Sequence, residues 1–234
     1  MQKIIPLLLI LYINICFGQI SPEEYFGDSY NNAISYCNKN KTEFIAIFEK
    51  HSIAGQISSS IVFPELIRYN RFRDFAETSA LELLYIKHGK EVADFSIGRF
   101  QMKPSFIETI EALLKRDSLL KVEFSSVNKY PTADSSEIRK IRLDRLKSQE
   151  WQFLYLACFI KLAEKAYLNY MDDNPENQLL ILSSAYNRGF GATYDELKIL
   201  SETKTFPYGN KHFGRYSYYD IAKFYYSNHS HKIF

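Results

Sequence analysis

Cysteine is scarce in this chain: Cys16, Cys37 and Cys158 are the only three in 234 residues. None stands at a metal-ligand spacing from another Cys or from a His, so no zinc-type site is readable. A dominant charge is missing too. Lys and Arg number 29 against 27 Asp and Glu, a formal charge of +2. Nucleic-acid binding normally needs clustered basic residues, and this near-balance argues against it. Internal repeats and low-complexity linkers are also missing. His229 and His231, in the tail, read as solvated side chains rather than ligands. No cofactor is implied.

What is present begins with a targeting segment. Lys3 is followed by an apolar run, Ile4–Ile15, and by Phe17-Gly18 before Gln19. That order predicts a secretory signal peptide over 1–18, cleaved near Gly18, and hence an exported, periplasmic or secreted protein. The run is short for a membrane span. A retained N-terminal anchor is the alternative. Lipidation at Cys16 is disfavoured because Ile15 precedes it where a small residue is expected. Removal of 1–18 leaves 216 residues with a charge of +1, which suits one domain over 19–234 with its own core. Export permits a Cys37–Cys158 disulfide, but Cys158 lies in an apolar segment and reads equally as a buried thiol.

The chain in order predicts helices. Ser21-Pro22-Glu23-Glu24 is a start signal for a helix running to about Asn38. Thr42–Lys50 reads as a second. Over Ile53–Tyr69 apolar residues recur at three or four positions, with Pro64 predicting a kink or restart. Asp74–His88 is a further helix with Gly89 as its stop. Glu91–Met102 reads as a small hairpin or extended loop. Ser105–Val122 is expected to open with a Ser105/Glu108 capping box. Phe124–Asp134 is a loop. Ser135–Lys147, with alternating charges, reads as a solvated helix face. Trp151–Met171 is apolar nearly all round and predicts a core helix; Lys161, Glu164 and Lys165 argue against a membrane span. Asn174-Pro175 opens a helix ending at Tyr186-Asn187, with Gly189 and Gly191 beyond it, and Thr193/Glu196 forms a capping box. The predicted fold class is mainly α, α+β at most, with a small β or irregular piece around 91–102.

Three stretches point to chemistry: Ile61-Val62-Phe63-Pro64-Glu65, Gly98-Arg99-Phe100-Gln101-Met102-Lys103-Pro104, and Ala185-Tyr186-Asn187-Arg188-Gly189. In this order they resemble the catalytic Glu segment, the Gly-Leu-Met-Gln-hydrophobe-x-Pro segment and the Ala-Tyr-Asn-x-Gly segment of lysozyme-like lytic transglycosylases. The resemblance spans roughly 53–191. It departs from the family in lacking Ser after Glu65, in Arg99 where Leu is usual, and in the helix inserted between Glu65 and Gly98.

The resemblance implies a lysozyme-like helical domain with a glycan cleft. It makes Glu65 the catalytic acid, with Ser96, Gln101, Tyr186 and Asn187 binding substrate, no metal and no cofactor. Peptidoglycan strands are the implied partner, envelope proteins are further possible partners, and the oligomeric state is open. A single Glu in this family protonates the glycosidic oxygen between N-acetylmuramic acid and N-acetylglucosamine. It then accepts the muramoyl 6-hydroxyl proton as a 1,6-anhydro ring closes. For that role burial against Phe63 and Tyr186 is expected to raise the Glu65 pKa. Gly98 is expected to let backbone approach a sugar, and Gln101 to bond hydroxyls and acetamides. Alternatives remain at this stage. Glu65 is also a surface Glu paired with Arg68 at i,i+3, Glu77 or Glu82 could replace it, and Asp94 could be a second acid in a hydrolytic muramidase. A non-catalytic glycan-binding scaffold is the remaining reading.

Overall fold

The computed structural model describes residues 20–69 and 75–234, and the side chains of 75–78 lie outside that description. The expected signal peptide over 1–18 therefore falls outside the described residues, as does the side chain of Glu77.

The described chain is mainly α-helical. Its helices are α1 (Pro22–Phe26), α2 (Asp28–Lys39), α3 (Lys41–Lys50), α4 (Gly55–Tyr69), α5 (Phe75–His88) and α6 (Pro104–Arg116). There follow α7 (Ser118–Glu123), α8 (Ser135–Lys147), α9 (Gln149–Ala166), α10 (Pro175–Arg188), α11 (Tyr194–Glu202) and α12 (Tyr218–Tyr225). Among the described residues no strand forms. The expected β piece reduces to an isolated antiparallel bridge, Ile97 to Met102, and a second bridge joins Phe206 to Tyr216. No helix of the described residues is long and apolar enough to cross a membrane.

The centre of the molecule is α4. Every residue from Ile57 to Ile67 is buried, because α2, α3, α10 and α12 pack around it and α9 touches it. A helix enclosed on all sides must satisfy its polar groups internally. Ser58, Ser59 and Ser60 do so by donating their hydroxyls back to the carbonyls of Gly55, Gln56 and Gln56. Phe63 stacks on Tyr225 and meets Tyr30 edge-on, which fixes α4 against α12 and α2. The helix runs unbroken through Pro64, so the expected restart does not occur. The missing N–H of Pro64 leaves the Ser60 carbonyl without its helical donor, a loss the surrounding packing tolerates.

The second buried axis is α9, almost wholly buried from Gln152 to Ala163, as its apolar circumference predicts. The Cys37 and Cys158 thiols are both buried and free, and burial pushes both well above the ordinary thiol range.

Other expectations are corrected in detail. The first helix is two, because Gly27 adopts φ 49° between α1 and α2. The helix expected over 105–122 breaks at Asp117, whose carboxylate caps Leu119 and Leu120 at the start of α7. The Ser105/Glu108 capping box does not form. Lys103 holds the N-cap position of α6 without a side-chain cap bond. Glu108 instead turns to Lys90, Tyr85 and Arg142. Nor is α8 simply a solvated face. Arg142 is buried on Glu111, with Nε and Nη2 at 3.1 and 2.8 Å from the two carboxylate oxygens. Arg145 donates to the carbonyls of Val127 and Lys129 and lies over the Trp151 ring. Alternating charge shows that a helix is polar, not which of its cations a neighbouring helix will cover. His229 is likewise packed, edge-on to Tyr30 and paired with Glu23. The Thr193/Glu196 box forms as expected.

Candidate active site

Three structural pieces meet at one cleft: the C-terminal half of α4, the turn around the Ile97–Met102 bridge leading into α6, and the C-terminal end of α10. The cleft has a volume of about 480 Å³ and is lined by Glu65, Arg68, Asp94, Ser96, Gln101, Lys103, Phe106, Tyr186, Asn187 and Arg188, among others. All five residues expected from the sequence, Glu65, Ser96, Gln101, Tyr186 and Asn187, are brought to it from segments as far apart as 65 and 187.

Glu65 is 5% exposed. It lies in the enclosed part of α4, and burial pushes its pKa from 4.5 up to about 7 despite the opposing pull of Arg68. Nη1 of Arg68 sits 3.3 and 3.2 Å from the two carboxylate oxygens. The i,i+3 pair anticipated from the sequence is therefore formed, but at the floor of a cleft rather than on a solvated face. The ring of Tyr186 packs edge-on to Phe106 and Phe159 beside it. Phe63, expected to flank Glu65, is turned away into the Tyr30 and Tyr225 stack.

The turn that faces Glu65 is held from two helices. Ile97 and Met102 exchange backbone hydrogen bonds of 2.9 and 3.1 Å. Between them, the Phe100 N–H donates to Oε1 of Gln152 on α9 at 2.9 Å, and the Phe100 carbonyl accepts from the Tyr186 hydroxyl on α10 at 2.8 Å. Both backbone groups of a buried residue are thus satisfied by side chains, where a strand partner would otherwise serve. Gly98 has φ 72°, and a Cβ there would run into the Gln152 amide. The space a side chain would take there is filled by Gln152. Gln101 also has positive φ, 51°, an unusual conformation for a side-chain-bearing residue. Its Nε2 donates to the Gly98 carbonyl at 2.8 Å. The amide expected to face hydroxyls therefore spends its donor partly on the turn itself, while the residue still lines the cleft.

The other carboxylates fall out differently. Asp94 lines the cleft, but its two oxygens accept from the backbone N–H and the hydroxyl of Ser105 at 2.9 and 2.7 Å. It supplies the α6 cap that Lys103 lacks. Glu82 pairs with Lys147 across α5 and α8 and does not line the cleft. Among the described residues no cluster of His, Cys, Asp and Glu is arranged to hold a metal ion.

Sequence reasoning missed Gln152, Lys103, Arg188 and Phe106. The signal for Gln152 was a lone amide in an otherwise apolar run. Lys103 and Arg188 lie within the two motifs and, with Arg68, are three cations on the cleft lining. Tyr218 was also missed as a neighbour of Glu65. Its hydroxyl donates to the Ile61 carbonyl at 3.0 Å, and the nearby Glu65 charge raises its pKa after the larger effect of burial.

No protein-family model, no curated protein and no solved structure matches the chain.

Proposed function

We propose that the protein is a peptidoglycan-cleaving enzyme of the lytic-transglycosylase type, working at the cleft with Glu65 as its single acid and base. The observation that carries this reading is a carboxyl group buried at the cleft floor and pushed up to about 7, beside a second carboxylate, Asp94, whose two oxygens are occupied by Ser105. A general acid works best with a pKa near the operating pH. A hydrolytic glycosidase needs a second free carboxylate as nucleophile or base. The raised pKa suits Glu65 to the first role, and the cap that Asp94 makes for α6 favours a structural role for that carboxylate over the second.

The chemistry follows from that imbalance. Protonated Glu65 gives its proton to the glycosidic oxygen between N-acetylmuramic acid and N-acetylglucosamine, and the bond to the muramoyl anomeric carbon breaks. Ionised Glu65 then takes the proton of the muramoyl 6-hydroxyl as that oxygen bonds to the anomeric carbon. The substrate's own hydroxyl, at high effective concentration, replaces the missing protein nucleophile. Ser96, Gln101 and Asn187 bind the sugar at the rim. Tyr186 acts mainly through the turn it holds.

Release of soluble fragments from purified peptidoglycan tests the reading. Wild-type protein is expected to solubilise the strands and Glu65→Gln to lose about 10²–10⁴-fold of the rate. Glycan binding without soluble product from the wild type would instead indicate a non-catalytic scaffold.

A further inference from the structure

Beside the cleft lies a second, smaller cavity of about 130 Å³, lined by Arg68, Asn187, Thr205, Phe206, Tyr208 and Tyr218, with Pro207 and Gly209 completing the wall. Arg68 and Asn187 border both cavities among the described residues. Among the described residues no carboxylate lines the side cavity, and Arg68 is the charged side chain on its wall. Nη1 is committed to Glu65, while Nε is sealed from solvent and has no hydrogen-bond partner. An unpartnered buried N–H is costly, more so when the group is charged. The edge of the guanidinium that carries Nε is also the edge that grips a carboxylate with two parallel hydrogen bonds. Lys103 and Arg188 add positive charge along the adjoining cleft.

We propose that Arg68 and the cavity beside it form a carboxylate-binding site that reads an acidic group on the glycan next to the bond being cut. The inference rests on the glycan-cleaving reading of the cleft and adds to it a substrate requirement. An incoming carboxylate gives the Nε edge the partner it lacks, and turning the guanidinium toward the side cavity brings the acidic group within reach of the Asn187 amide and the Thr205 hydroxyl. Arg68 is then a specificity-determining residue. A neutral glycan of the same shape leaves the guanidinium under-satisfied and binds more weakly.

Binding of small probes to the full chain at neutral pH decides the matter without needing turnover. N-acetylmuramic acid and its methyl ester form one pair, and glucuronic acid and its methyl ester the other, titrated by calorimetry and by amide chemical shifts around Thr205–Gly209. At least one free acid is expected to bind tenfold or more tightly than its ester, with shifts in that loop. A preference confined to the first pair marks a lactyl-type carboxylate, and one confined to the second a ring carboxylate. Arg68→Gln is expected to erase the preference while leaving ester binding in place. Equal affinity of acid and ester in the wild type, no binding of any probe, or a preference that survives Arg68→Gln would each overturn the proposal. The wild-type comparison decides even if the variant fails to fold. Acid preference without peptidoglycan turnover would remove the cleavage reading and leave this site standing; turnover without acid preference would do the reverse.

Discussion

The Tyr186 hydroxyl donates to the Phe100 carbonyl at 2.8 Å, and this bond joins the end of α10 to the turn that faces Glu65. The two residues are 86 positions apart, and each belongs to a segment singled out by its resemblance to a glycan-cleaving motif. Removing the hydroxyl leaves a buried carbonyl unsatisfied. Tyr186→Phe is therefore expected to lower stability by about 1–3 kcal/mol and to slow turnover by roughly tenfold through loosening of the turn, less than loss of an acid costs. Urea unfolding together with a peptidoglycan solubilisation rate checks both. Unchanged stability would mean that the bond does not hold the turn.

Gly98 makes a sharper test of the same turn. Positive φ and the Gln152 amide both oppose a side chain there. Gly98→Ala is expected to destabilise by about 1–3 kcal/mol. Shortening the obstruction with Gln152→Ser should relieve the collision but not the backbone strain, so the double variant should lose less than the sum of the single changes. Thermal unfolding of the three variants reads this directly. Strict additivity would show that Gly98 and Gln152 are not coupled.

The fold was legible where periodicity was strong. Residues 53–69 read as a helix and became α4, and residues 151–171 read as a buried helix whose greater part became α9, because an apolar circumference has only one stable place to go. Boundaries set by a single residue were less readable. Gly27 and Asp117 split helices whose apolar spacing continues across them, and only the observed φ of one and the cap made by the other reveal it. At the site, Glu65, Gln101, Tyr186 and Asn187 were nameable from short motifs and Ser96 from its place just before one of them, and their meeting in one cleft was implied only by the resemblance. The contacts that make the site work as a unit, Gln152 to Phe100 and Asp94 to Ser105, were not visible. They join residues 52 and 11 positions apart, and nothing in local spacing encodes such pairs. Gly98 was legible as an unusual residue, but its packing on Gln152 was not, since a requirement for no side chain does not say what occupies the space.

Glu65 gives the protein a characteristic pH dependence. Its folded-state pKa is raised from 4.5 to about 7, so the folded protein holds this proton more tightly than the unfolded chain does. The resulting stabilisation is fully present below about pH 4.5 and is lost as pH rises to about 7. The whole window corresponds to at most about 3 kcal/mol. Glu65→Gln keeps the shape and has nothing to ionise. The variant is therefore expected to match the wild type near pH 4.5 and to be the more stable of the two at pH 8. Wild-type activity should fall as pH rises above about 7, because the acid is then ionised. Melting curves at the two pH values test the first statement and kcat/KM against pH the second. A wild type more stable than Glu65→Gln at pH 8 would mean that the Arg68 pair outweighs the burial of the charge.

Asp94 separates cleavage by one carboxylate from cleavage by two. Held by Ser105, it is expected to serve as a helix cap. Asp94→Asn keeps an oxygen that can accept from the Ser105 N–H, so it should cost less than the roughly 0.5–2 kcal/mol of a lost cap and leave turnover within a few-fold. Loss of turnover in a variant that remains folded by circular dichroism would instead place Asp94 in the chemistry and favour a hydrolytic muramidase.

The most direct measurement is the mass of the new glycan ends released from purified peptidoglycan. An enzyme that uses Glu65 alone as acid and base should leave 1,6-anhydro-N-acetylmuramic acid ends, one water lighter than reducing ends, and Glu65→Gln should release almost none. Ends that are mainly reducing, or anhydro ends produced equally by Glu65→Gln, would contradict the assignment of Glu65 as the single acid and base.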